Sequence, residues 1–243
     1  DRMAFGLMSG SYDRNRSGGA LRKNIASFRD EVDVDGDGTF RSPAGGSIVG
    51  AIDRFRVSGF SYGLSEYGDR VSTPAPESDR CNAALLTDVP DGTCSNWGNP
   101  QAEMYLESLR YFGGHSPTPA FDADDSTRFP GLVTAAWEDP LSEANHCAPL
   151  NVIQFNASTT TFDNDELGSG ADIGLSDVKA ATNVVGAGEG IHGKKWFIGD
   201  NGSDGDGLCT GKTINALGEV AGTCPDAPRK EGGFNVAGLA HHA

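Results

Sequence analysis

The 243-residue sequence predicts an α/β protein. Short apolar runs alternate with apolar residues at helical spacing, and acidic or glycine-rich stretches separate them. Hydrophobic residues form 37% of the chain, with three Trp and twelve Phe, which is enough for a core and argues against general disorder. The first run, Met3 to Met8, reads as a buried strand, and Ser9 to Gly19 as a Gly/Ser/Asn-rich turn. Leu21 to Phe28 suits a short strand or helix, and Glu31 to Gly38 is an aspartate-dominated loop. Ile48, Val49, Ile52 and Phe55 recur at helical spacing. Residues 56–98 read as irregular, with Pro74, Pro76 and Pro90. Pro100 to Phe112 is the clearest helix: proline in the first turn, Glu103 and Glu107 ahead of Arg110, apolar residues on one face, and Gly113-Gly114 as the stop. After a Pro/Asp loop, Leu150 to Phe155 reads as a buried strand ending in the polar turn Asn156 to Thr161. Ile173 to Val185 predicts a weaker helix, Lys194 to Ile198 a short strand, and Phe234 to Ala243 the start of a helix.

Charge narrows the function. The chain carries 19 basic and 34 acidic residues, a formal charge of −15, which repels nucleic acid phosphates and anionic lipid headgroups. No apolar run approaches the roughly 18–20 residues that cross a bilayer, so neither nucleic acid binding nor membrane insertion is expected. The first residues have no basic and then apolar leader pattern, so the expectation is a mature chain or an excised piece of one.

The five cysteines include no C-x-x-C pair, which excludes zinc-ribbon and thioredoxin-type readings. Cys81 with Cys94, and Cys209 with Cys224, each flank a polar, turn-rich stretch and are expected to close it as a disulfide, which favours an oxidising compartment. Cys147 is left over, and its neighbour His146 points elsewhere, so no Cys-His dyad is expected.

The acidic residues are clustered. Asp33, Asp35 and Asp37 with Gly38 match the first half of a calcium loop, in which alternating carboxylates converge on one hard cation. The twelfth position is Ala44 rather than a bidentate Glu, so a calcium loop of another kind than the EF-hand is expected. Asp200, Asp204 and Asp206 form a second, looser candidate, again for calcium. Asp122/Asp124/Asp125 and Asp163/Asp165/Glu166 read as solvated loops.

Enzyme motifs fail on inspection. Gly211-Lys212-Thr213 ends like a phosphate-binding loop, but Asp206 stands where the first glycine is required. No G-x-S-x-G or H-E-x-x-H occurs, the histidines are scattered apart from His241-His242, and Gly186 to Gly190 does not fit G-x-G-x-x-G because residue 191 is isoleucine. No catalytic residue is assigned.

Several segments together resemble one family. Phe5 to Tyr12, Ser17 to Ile25, Trp97 to Gly113, Asn151 to Asp165 and Gly232 to Ala240 are similar, in that order, to the PilY-type type IV pilus assembly and tip proteins, and the Trp97 to Gly113 segment is the most specific. The resemblance implies a von Willebrand factor A-like region, a doubly wound α/β sheet, here incomplete. Residues 1–243 would be one such region, with insertions at about 14–98 and 115–149 and without the propeller that follows in such proteins. The D-x-S-x-S motif of that fold would lie upstream of Asp1. Asn99 and Asn156 occupy positions that resemble adhesion-site ligands, in place of the threonine and aspartate the pattern carries. The resemblance further implies a non-enzymatic module exported through the periplasm to the cell surface, acting in pilus assembly and adhesion. Its partners would be pilin or minor pilins and a host or abiotic surface, with calcium ordering the acidic loops. A self-assembling filament subunit and a secreted calcium-dependent hydrolase are the alternatives.

Overall fold

The computed structural model describes the chain except residues 1–2, 12–13, 15, 42, 44, 56–59, 62–65, 68–97, 122–123, 128–130, 144, 157, 169, 200–208 and 226–230. The described part is mixed α/β. Strands β1 (Phe5–Gly10) and β2 (Gly18–Ala26) form an antiparallel hairpin, β3 (Phe60–Ser61) pairs antiparallel with β4 (Glu66–Tyr67), and β5 (Lys195–Ile198) pairs antiparallel with β6 (Thr210–Thr213). Four helices accompany them: α1 (Ile48–Arg54), α2 (Gln101–Phe112), α3 (Val178–Gly188) and α4 (Asn235–His242). Among the described residues all three ladders are antiparallel, so the parallel ladders of a doubly wound sheet are not among them. No described helix is long and apolar enough to cross a membrane.

Helix α2 organises the fold. Ala102 and Leu106 join Leu167, Leu175, Val178 and Leu239 in a core shared with α3 and α4. At the other end of α2, Tyr111 packs with Leu21 of β2 and Ala135. The hairpin can approach α2 because Gly18 and Gly19 start β2. A Cβ on Gly18 would lie 2.7 Å from the Met104 side chain, and one on Gly19, whose φ is +118°, 2.6 Å from that of Glu107. The crossing of α3 and α4 is equally close, with a Cβ on Gly238 falling 2.3 Å from Thr182 Oγ1.

Buried charge fixes the hairpin from both faces. Arg22 is fully buried and pairs with Asp125 at 2.5 Å, while its other hydrogens reach Ser9, Gly10 and Thr134. Lys23 pairs with Glu31 at 2.7 Å, and Glu31 in turn accepts the Ser47 hydroxyl and the amides of Ile48 and Val49 at the start of α1. Burial alone would raise the Glu31 pKa, but Lys23 and these donors outweigh it and hold the carboxyl below its usual range.

Several elements depart from their sequence reading. Leu150 to Phe155 belongs to no strand, and instead of being buried it exposes Ile153 (75%) and Phe155 (89%), because no neighbouring strand pairs with it among the described residues. Met3 and Ile52, expected inside, are exposed (68% and 57%). Pro100 is the N-cap of α2 rather than a residue of its first turn. Helix α3 starts at Val178, where Asp177 caps it by accepting from the Ala180 amide, five residues later than the apolar pattern suggests. Thr210–Thr213, met in the sequence only as a false phosphate-loop ending, is a strand, and β2 falls inside the 14–98 stretch while packing directly on α2.

Candidate functional site

The N-terminal end of α2 gathers the polar groups that bear on function. Asn99 precedes the helix and bridges antiparallel to Thr161: its amide donates to Thr161 Oγ1 at 2.7 Å, and the Thr161 amide donates to its carbonyl at 3.2 Å. The Asn99 side chain donates through Nδ2 to Asn156 Oδ1 at 2.7 Å and to the carbonyls of Ser158 and Thr159 at 3.1 and 3.0 Å. Asn99 Oδ1 accepts from Gln101 Nε2, and Asn156 Oδ1 accepts also from the Ser158 amide. The structure thus brings Asn99 and Asn156 together. Both side-chain oxygens accept from protein donors, Asn99 Oδ1 from Gln101 and Asn156 Oδ1 from Asn99 and the Ser158 amide. One step away, Gln154 Nε2 donates to the Gln101 carbonyl, which fixes the open segment Leu150 to Phe155 beside the helix start.

Behind this surface lies a group of carboxylates that the sequence reading placed in solvent. Asp163 is fully buried, and its Oδ1 accepts the Ala102 amide. Burial pushes its pKa up to about 8, against the helix amide that favours the charged form. Glu103, also fully buried, accepts the Gly18 amide at 2.9 Å. Its pKa rises to about 10, through burial first and then the charges of Asp165, Asp163 and Glu166. Among the described residues Glu103 Oε1 and Asp163 Oδ2 have no hydrogen-bond partner. Arg16 closes the outer side: it pairs with Asp165 at 3.0 Å and stacks over Phe162. Ser17 donates to Glu166 at 2.5 Å. The signal for this cluster was available in the sequence, since Glu103 lies one residue from Ala102 on the helix face that enters the core.

The acidic loop Asp33 to Gly38 is a local turn. Asp33 pairs with Arg41, and Asp37 accepts the Thr39 amide at 3.0 Å, each contact favouring the charged form. Among the described residues no group of three or more His, Cys, Asp or Glu side chains is placed to hold a metal ion. Asp200, Asp204, Asp206, Cys81 and Cys94 lie outside the described residues. Cys209 and Cys224 form a disulfide with Cα atoms 5.6 Å apart, and Cys147 is an exposed free thiol.

Fold and site together define an α/β module, disulfide-linked at Cys209–Cys224, whose central helix carries an asparagine pair at its start and buried carboxyls behind it. Known proteins identify it more narrowly. Residues 5–243 match the family described as PilY1 homolog, second domain. The type IV pilus biogenesis factor PilY1 homolog of Xylella fastidiosa strain Temecula1 is 31% identical over 270 aligned positions, covering all of this chain and 18% of that protein. The chain therefore belongs to the PilY1-homolog family and spans about a fifth of that relative's length. No solved structure matches it.

Proposed function

We propose that this chain is a non-enzymatic, cell-surface module of a type IV pilus biogenesis protein that acts in pilus assembly and surface adhesion. The observation that carries this reading is the open segment Leu150 to Phe155. It belongs to no helix or strand, makes no backbone ladder among the described residues, and presents Ile153 and Phe155 to solvent. An unpaired apolar edge is a template for a further strand. The pilus biogenesis factor to which the chain is similar makes a strand of pilin or minor pilin the occupant we favour. The finer fold reading, a von Willebrand A-like region with Asn99 and Asn156 at adhesion-site-like positions that meet a host or abiotic surface, belongs to this proposal, and the contact between the two asparagines is compatible with it. Calcium belongs to this reading as a ligand of the Asp33 to Asp37 loop.

Photo-cross-linking tests it. A benzophenone amino acid in place of Ile153, introduced into the intact protein in cells, is expected to capture pilin or a minor pilin. The pair Ile153→Asp and Phe155→Asp is expected to leave the protein present while piliation and adherence fall. Capture of the protein's own chain alone, or of a second copy as in a self-assembling filament, would overturn the docking reading, as would unchanged piliation.

A further inference from the structure

A groove between the first residues of β2, the C-terminal end of α2 and residues 133–139 has a composition that selects its ligand. Its volume is about 840 Å³, within the range of roughly 300–1,000 Å³ that ligand pockets occupy. The floor is apolar and recessed, made by Leu21, Phe121 and Ala135. Trp137 forms one wall, edge-on to Tyr111 at 5.4 Å between ring centroids. The rim is acidic. Asp124, Glu138 and Asp139 line it, and among the described residues no Lys or Arg does, His115 being the basic side chain there. Asp124 is held by the Ser126 amide at 3.0 Å and Asp139 by the Leu141 amide at 2.8 Å, so both carboxylates are fixed in position. None of the three is in an ion pair between described residues. Their field reaches the groove: after burial, Glu138 and Asp139 are the charges that raise the Tyr111 phenol.

We infer that this groove binds an extended cationic peptide segment, with an apolar side chain on the Leu21–Phe121–Ala135 floor and flanking Lys or Arg at the carboxylate rim. A purely apolar ligand would leave three carboxylates partly desolvated and unpaired, and an anionic one would be repelled. Alternating basic and apolar residues supply both halves of the complement. The inference stands on the groove alone and does not depend on the occupant of the Leu150–Phe155 edge.

Fluorescence anisotropy on the intact protein tests it, with a short fluorescein-labelled peptide of alternating lysine and valine as probe and its glutamate-for-lysine counterpart as control. The lysine peptide is expected to bind saturably and the glutamate peptide not to bind. Glu138→Gln with Asp139→Asn keeps both shapes and the Leu141 contact, and is expected to weaken binding about tenfold. Glu143→Gln with Glu189→Gln removes the same charge from exposed sites elsewhere and is expected to change binding less than about twofold. Failure of the lysine peptide to saturate, an unchanged affinity in the groove variant, or an equal loss in the control variant would each overturn the assignment. Capture by the overall −15 charge alone would produce the last of these.

Discussion

Asn99 Nδ2 lies 2.7 Å from Asn156 Oδ1, and this contact fastens the start of α2 to the end of a segment that has no ladder among the described residues. Gln101 adds a second tie to the same segment through Gln154. The open edge is therefore held by side chains, where an ordinary strand is held by backbone.

Removing the asparagine should show this. Asn99→Ala is expected to lose the side-chain contacts to Asn156, Ser158 and Thr159 and to destabilise by about 0.5–1.5 kcal/mol, because the part-buried Thr159 carbonyl loses its donor while the other two contacts are exposed to water. Urea unfolding measures the loss. Hydrogen exchange should localise it, with amides of 156–161 exchanging faster and those of β1 and β2 unchanged. A uniform increase across the chain would mean that Asn99 supports the whole fold rather than this edge.

The buried carboxyls set a pH dependence with a definite sign. Glu103 and Asp163 have folded pKa values raised to about 10 and about 8, while unfolded carboxyls ionise near their ordinary values. The unfolded chain therefore releases protons that the folded chain keeps. Their contribution to stability is full below the unfolded pKa and declines as pH rises, until each folded pKa is passed. Glu31, whose pKa is lowered, acts in the opposite sense: its contribution is present above the unfolded pKa and is lost as pH falls through its folded pKa. Glu103→Gln keeps the acceptor for the Gly18 amide and removes the titration. It is expected to stabilise the protein at pH 7 by on the order of 1–3 kcal/mol and to flatten the fall in Tm between pH 6 and 9. A Tm profile unchanged by the substitution would show that Glu103 is ionised and solvated.

Arg22 and Asp125 form the opposite kind of buried charge, one that is paired and saturated with donors and acceptors. Arg22→Ala or Asp125→Ala should each cost about 3–5 kcal/mol by stranding the partner. The double substitution should cost less than the sum of the two. Equilibrium unfolding of the three variants measures the coupling, and strict additivity would mean that the two side chains act independently.

The legible parts of the fold were those whose signal is local. Helix α2 follows from Pro100, its apolar spacing and Gly113, and the Cys209–Cys224 bridge from two cysteines flanking a polar loop. Strand β5 likewise sits where an apolar run predicts it. What failed depends on tertiary partners. Leu150 to Phe155 has the composition of a buried strand, but burial needs a neighbour that composition does not name. Asp163 reads as solvated charge, and only the packing of the Gly18–Gly19 turn and of residues 161–166 against α2 encloses it with Glu103 and Glu107. The rejected phosphate-loop ending has a structural role instead, with Lys212 buried in β6 and its ammonium on Thr210.

Calcium binding to the Asp33 to Asp37 loop, part of the proposed function, can be judged by one competitor. Arg41 already pairs with Asp33, and that pairing favours the ionised carboxylate in the absence of any metal. A calcium ion must take Asp33 from Arg41 and draw Asp35 and Asp37 inward, and Asp37 is engaged with the Thr39 amide. Binding should consequently be weak, near the 10⁻⁴–10⁻³ M range of extracellular modules. Arg41→Gln removes the competitor and one positive charge, so it should tighten calcium binding severalfold, while Asp35→Asn should abolish it. Isothermal calorimetry on the three proteins distinguishes the cases. Heat that grows with Arg41→Gln and vanishes with Asp35→Asn assigns calcium to this loop. Absence of heat in both the parent and Arg41→Gln makes the Asp33–Arg41 pair the purpose of the loop, with the adhesion reading then standing without a metal.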